Sequence, residues 1–205
     1  MLNLNQVELC VKPKDPFDDW VRVLCLLGYR TVGVELPTKE ASEFAKSAKG
    51  RLVTFIRSRT GFEPGPMSVV KCAFYGEPST RGAPPFILRV DLQRVDEGLS
   101  SYVGRHGHKL GGLEVSLRQL RRLCEKDPLT TLIEVGRLQK VALAKGLPLL
   151  LASDAVDPSE VASALTKSSF LRIVTGRVEP YHRLAYRRFS ERLSGAISFT
   201  GMTSP

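Results

Sequence analysis

Residues 6–36, QVELCVKPKDPFDDWVRVLCLLGYRTVGVEL, decide the fold class. Gln6 to Val11 alternates in the period of two that puts successive side chains on opposite faces of a strand. Pro16 then opens a helical stretch in which Trp20, Val23, Leu24 and Leu27 share one face, and Gly28 stands where a helix end favours glycine. Thr31 to Leu36 is a second strand-like run. Strand, helix and strand in this order imply a parallel pair, because parallel strands need a crossover and antiparallel ones need only a turn. The rhythm continues outward: Thr38 caps a helix to about Lys49, Gly50 closes it, and Leu52 to Arg57 reads as the next strand.

Further along, Arg59 to Pro85 interrupts the pattern with prolines and glycines around a short β-like run, Ser68 to Phe74. Phe86 to Leu92 reads as a strand, Val95 to Tyr102 as a short helix, and Gly104 to Gly112 as a polar turn leading into a strand at Leu113 to Leu117. Leu129 to Lys145 is a long helix between Pro128 and Gly146, followed by the apolar strand Leu147 to Ala152. Asp157 and Pro158 suit the cap and first turn of a helix to Lys167. Leu171 to Thr175 reads as a last strand and Tyr181 to Ser194 as a final helix. About eight strand candidates with helices between most of them favour an α/β fold of the (β/α) TIM-like barrel type over an open sheet. Such barrels typically take about 250 residues, so this one is compact and partly irregular. The expected organisation is one barrel domain over 1–198, irregular at 59–85, with a flexible tail at 199–205.

The composition, 42% hydrophobic and 25% charged, excludes a disordered chain, a collagen-like repeat and a disulfide scaffold. No apolar run approaches the roughly 20 residues of a membrane span, and Met1 to Val11 lacks a signal-peptide pattern. The expected compartment is the cytoplasm, without membrane contact. Cys10, Cys25, Cys72 and Cys124 have no metal or redox spacing and read as reduced, packed residues. Charge is uneven: residues 1–100 carry 14 basic and 12 acidic side chains, residues 101–205 carry 16 and 9. Basic clusters at Arg118, Arg121 and Arg122, and at Arg183, Arg187, Arg188 and Arg192, suit a polyanion, nucleic acid ahead of membrane.

His106 and His108 form the one His-x-His pair, but Arg105 and Lys109 beside them oppose a dication. His182 stands alone. Ser153 and Asp154 end an apolar strand, where a barrel places functional groups, and a capping role is the competing reading. Arg118 directly follows a strand, with a salt bridge to Glu114 or another carboxylate as its plainer role. No G-x-S-x-G elbow, P-loop or G-x-G-x-x-G fingerprint occurs.

The segments Leu113-Glu-Val-Ser-Leu-Arg-Gln-Leu120 and Leu149-Leu-Leu-Ala-Ser-Asp-Ala155, separated by the long helix, resemble the ribonuclease P thirty-kilodalton protein subunit family, whose archaeal members are called protein component three. Asp157-Pro-Ser-Glu-Val161, Phe170 to Val174 and Glu179 to Leu193 are similar to that family's closing portion, and Leu27-Gly-Tyr29 to its first helix end. The chain departs from the family's pattern in the 59–85 segment and at Gln119, where many members carry proline. The resemblance implies a barrel related to the polymerase and histidinol phosphatase fold, serving as a noncatalytic subunit. It implies binding to ribonuclease P RNA beside a Pop-five-type protein subunit, with precursor tRNA as the holoenzyme substrate. The protein is expected to bind no cofactor and no metal, Mg2+ being required by the RNA. Charge and strand-end position then nominate Arg105, Lys109, Arg118, Arg121, Arg122 and Arg177 for RNA, with Ser153 as a hydrogen-bonding neighbour. The alternative function is a metal-dependent phosphoesterase of the same barrel type, with His106 and His108 among its ligands. Against it, Val7-Glu-Leu-Cys-Val-Lys12 offers no histidine pair on the first strand.

Overall fold

The computed structural model describes residues 7–59, 67–77, 84–175 and 180–198. Among them, seven strands run in chain order as neighbours in one parallel sheet: β1 (Val7–Val11), β2 (Thr31–Val34), β3 (Val53–Ser58), β4 (Ser68–Phe74), β5 (Ile87–Arg89), β6 (Gly112–Ser116) and β7 (Leu149–Ala152). Every pairing is parallel. The two outer strands then meet, because Asp154 N–H donates to Cys10 O at 3.0 Å and Lys12 N–H to Ala155 O at 2.8 Å. The sheet is therefore a nearly closed α/β barrel of the TIM-like kind. Gly33 permits the close approach of β1 to β3 across β2: a Cβ there would lie 2.3 Å from Leu9 O and 2.6 Å from the Phe55 ring.

Seven helices among the described residues accompany the strands: α1 (Phe17–Leu26), α2 (Thr38–Ala48), α3 (Glu97–His106), α4 (Leu117–Lys126), α5 (Pro128–Leu143), α6 (Ala164–Thr175) and α7 (Pro180–Ser198). The outward side chains of the sheet pack on them in two groups. Val11, Val32, Val34 and Ile56 meet Trp20, Val21 and Leu24 of α1 and Ala41, Phe44 and Ala48 of α2. Leu113, Val115, Leu149 and Leu151 meet Leu99 and Val103 of α3 and Val135, Leu138 and Ala142 of α5. Each large side chain removed from water in this way contributes about 1.5–3 kcal/mol. Asp96, Ser116 and Asp127 cap α3, α4 and α5 by accepting from a backbone N–H in the first turn. Among the described residues no helix is long and apolar enough to cross a membrane.

Three expectations change. Leu171 to Thr175 is not a strand but the end of α6. β7 already hydrogen-bonds to β1, so no gap is open for an eighth strand between them. A short apolar run also cannot be assigned to strand or helix by periodicity. The helix expected from Pro158 to Lys167 is a 3-10 turn at Pro158–Glu160, with Asp157 as its cap, before α6 starts at Ala164. Finally, α4 occupies a stretch where the sequence pattern indicated no helix; Ser116 ends β6 and its side chain caps the new helix at once. Of the irregular segment, 60–66 and 78–83 lie outside the described residues, as does the tail 199–205.

Helix α7 closes one end. Phe189 stacks on Phe86, just before β5, with centroids 5.6 Å apart. Arg192 donates to Leu110 O at 2.6 Å and Lys109 O at 3.0 Å, just before β6. The Tyr186 hydroxyl donates to Leu149 O at the start of β7. Ser68 Oγ, at the start of β4, donates to Ile197 O at 2.7 Å. All these contacts fall where strands begin, so α7 seals the N-terminal end of the barrel and leaves the other end open.

Candidate functional site

Charged side chains fill the barrel above that seal. Arg57 of β3 reaches Glu114 of β6 with Nη1 and Nη2 at 2.7 and 2.9 Å. These strands are not sheet neighbours, so the pair crosses the interior. Arg89 of β5, paired in register with Glu114, places Nε 2.6 Å from Glu114 Oε1. Arg57 also donates to Leu9 O at 2.7 Å. Burial alone would raise the Glu114 pKa, but the two guanidinium groups hold it below the ordinary carboxylate value.

Nearer the open end, Asp154 follows β7 with φ at +52°, a left-handed conformation that aspartate tolerates better than most residues. Its Oδ1 lies 3.0 Å from Arg89 Nη1 and 3.1 Å from Lys12 Nζ, and its Oδ2 accepts from Ser116 Oγ at 3.0 Å. Burial pushes the Asp154 pKa up, while Arg89 and Lys12 outweigh it and bring the value down to about 2. The Arg89 contact lacks hydrogen-bond alignment, and Nη1 and Nη2 of this buried guanidinium have no hydrogen-bond partner among the described residues. Over the interior lies a cleft of 290 Å³ lined by Phe74, Arg89, Ser116, Arg118, Arg122 and Asp154, with Asp91 and Gln119 at its side.

The nominated residues divide between the two ends. Arg118, Arg121 and Arg122 lie on the first turns of α4 at the open end. Arg118 is 4.0 Å from Glu160 rather than paired to Glu114; Arg121 and Arg122 are exposed. Arg105, at the end of α3, and Lys109, in the turn before β6, are exposed at the opposite, sealed end. Ser153 is buried. Its hydroxyl donates to Glu8 Oε2 at 2.6 Å and accepts from Ala162 N–H at 3.1 Å. Glu8, itself fully buried, also accepts from Cys10 N–H, Ser153 N–H and Lys167 Nζ. Ser153 thus helps to tie β1, β7 and α6 together. Arg177 lies outside the described residues, and the side chain of His182 does too. His106 packs on Tyr102 at 4.7 Å between centroids; it and His108 precede β6, away from the open end.

Sequence reasoning passed over the interior roles of Arg57, Arg89 and Glu114, the last named only as a salt-bridge partner for Arg118. Their signal was a single charge inside an otherwise apolar strand, as in Phe55-Ile-Arg57, Ile87-Leu-Arg89 and Leu113-Glu-Val115. Charges that are almost fully buried need a partner, so each of these strands implied one.

Cys10, Glu35 and Asp154 are the one group among the described residues with three ligand atoms close enough for a metal, within 4.8 Å of one another. Their surroundings suit it poorly. Burial pushes the Cys10 thiol up to about 12, which keeps the proton on sulfur. Lys12 lies 3.8 Å from Glu35 and 3.1 Å from Asp154, and Arg59 lies 3.6 Å from Glu35. The carboxylates already face fixed protein cations that would repel a dication.

No family model matches the chain, and no curated protein matches it. Among solved structures, the chain is similar to one chain of the cryo-EM structure of archaeal ribonuclease P with mature tRNA. The TM-score is 0.66, over 95% of this chain and 90% of that one, at 15% sequence identity. The two share a fold. The correspondence spans nearly the whole of both chains, so it covers the barrel, the helices around it and the end at which Arg118, Arg121 and Arg122 sit.

Proposed function

We propose that this chain is a noncatalytic protein subunit of ribonuclease P. It binds the catalytic RNA beside a Pop-five-type protein subunit and supports magnesium-dependent removal of 5′ leaders from precursor tRNA in an archaeal cytoplasm. The observation that carries the reading is the fold shared, along 95% of this chain, with a component of a ribonuclease P assembly that contains tRNA. The motifs resembling the thirty-kilodalton subunit family and the exposed arginines of α4 support it independently.

The chemistry follows from charge. RNA folds only when close phosphates are neutralised, by magnesium or by protein cations that displace condensed counterions. Arg118, Arg121 and Arg122 stand in one short helix anchored through Leu117 and Leu120, so their spacing is held before RNA arrives. A guanidinium grips two phosphate oxygens at once and can stack on a base. The subunit lowers the free magnesium that the RNA needs, while the RNA holds the catalytic ions. Arg105 and Lys109, at the sealed end, and Arg177 are proposed as further contacts; Ser153, buried against Glu8 and Ala162, supports the fold rather than touching RNA directly.

The test is the affinity for ribonuclease P RNA across a salt series, comparing the native chain with the triple variant Arg118→Glu, Arg121→Glu, Arg122→Glu. The expected outcome is weaker binding and a log–log salt slope shallower by about 1 per lost phosphate contact. An unchanged affinity and slope would remove α4 from the interface.

A further inference from the structure

The polar cleft at the open end has a composition that general RNA docking does not require. Its floor is Arg89, whose side chain is 3% exposed. That guanidinium meets Glu114 through Nε and faces Asp154 Oδ1 at 3.0 Å through Nη1, but Nη2 has no hydrogen-bond partner among the described residues. A buried donor left in this way costs about 1–3 kcal/mol or more for a charged group, and it persists where an acceptor arrives from outside. Above it stand Arg118 and Arg122 on the first turns of α4. The ten-residue helix points its N-terminus, and so the positive end of its dipole, toward the same space.

Two carboxylates also line the cleft, and both are engaged. Asp154 is shared by Lys12, Arg89 and Ser116. Asp91 Oδ1 accepts from Gln93 N–H at 2.9 Å and Gln119 Nε2 at 2.6 Å. Arg118 faces Glu160 only at 4.0 Å, and Arg122 has no ion pair among the described residues, so the balance left over the cleft is positive. The volume of 290 Å³ admits a phosphate group with the sugar that carries it.

We propose that this cleft is a phosphate-binding site, in which Arg89, Arg118 and Arg122 converge on one phosphate group. The group is either a phosphate of RNA or a free phosphate. The inference rests on the ribonuclease P reading only for the first of these sources.

The experiment is calorimetric titration of the full chain with inorganic phosphate at low ionic strength. Saturable one-to-one binding is expected. Arg118→Ala with Arg122→Ala should weaken it at least tenfold. Lys46→Ala with Lys49→Ala, which removes the same charge from the exposed end of α2, should leave it unchanged. Arg89→Lys keeps a cation but removes the fork and should also weaken binding at least tenfold. If that variant fails to fold by circular dichroism, the paired α4 variant decides alone. Short oligoribonucleotides with a 5′-phosphate or a 5′-hydroxyl then separate the sources. Tighter binding of the phosphorylated form assigns an RNA end, equal tight binding of both assigns a bridging phosphate, and binding of inorganic phosphate alone assigns the free ion. Absence of saturable phosphate binding, or equal weakening by the α2 control, would overturn the site. If phosphate fails to bind while ribonuclease P RNA still does, the cleft falls and the RNA reading stands. Phosphate binding without RNA binding keeps the cleft and removes the RNA reading.

Discussion

The two ends of the barrel are built from the same strands and solve opposite problems. Where the strands begin, Phe55, Val70, Ile87 and Leu150 form an apolar layer with Phe189 and Leu193 of α7, and backbone carbonyls are satisfied by Tyr186 and Arg192. Two residues further along β3 and β5, the inward positions hold Arg57 and Arg89, joined by Glu114 from β6. The seal needs only shape and apolar area. The charged layer needs every partner present, because a lone ion in that position has neither water nor a counter-charge. One end is a lid, and the other is a rigid polar platform beneath an accessible basic rim.

This contrast can be broken from either side. The largest effect is expected from Glu114→Ala, which strands two buried guanidinium groups. Urea unfolding should show a loss of about 3–5 kcal/mol, and a loss below about 1 kcal/mol would show that Arg57 and Arg89 do not depend on the carboxylate. Next comes Leu193→Ala, which opens a cavity in the seal; the same measurement should give about 2–4 kcal/mol with RNA affinity retained. Loss of RNA affinity in that variant, with its fold intact, would move the main RNA contact from α4 to the sealed end, on the side of Arg105 and Lys109.

A smaller effect concerns acid. Asp154 has its folded pKa lowered from the ordinary 3.8 to about 2. Its contribution to stability is therefore complete above about pH 5 and is lost as pH falls through about 2. Glu114, lowered in the same direction, adds to this trend. Denaturant midpoints for the native chain and Asp154→Asn should differ at pH 5 and converge near pH 2. A gap that persists at pH 2 would mean that Asp154 acts through Ser116 and its left-handed backbone rather than through its charge.

Much of the barrel could be read locally. β1 to β3 and α1 and α2 stand where alternation, Trp20 to Leu27 and the glycines place them, and β4 occupies the β-like run Ser68 to Phe74 that shows between the prolines. Leu171 to Thr175 misled because a run of apolar and β-branched residues this short carries no period of its own, and closure of β7 onto β1 is a tertiary event. α4 was concealed by the strand that precedes it, although Leu117, Leu120 and Cys124 have helical spacing. In the candidate site, the cluster of three arginines was visible as charge density. The Arg57–Glu114 pair was not, since its members are 57 positions apart and meet only when the sheet curls. Arg105 and Lys109 read as companions of Arg118 along the chain, yet β6 carries them to the far end.

The most direct measurement is cleavage of precursor tRNA across a magnesium series by the ribonuclease P RNA of the same source, with and without this protein and the Pop-five-type partner. A noncatalytic subunit requires that cleavage depend on the RNA and shift to lower magnesium when the protein is added. Cleavage by the protein alone, or a magnesium requirement unmoved by its addition, would contradict that role.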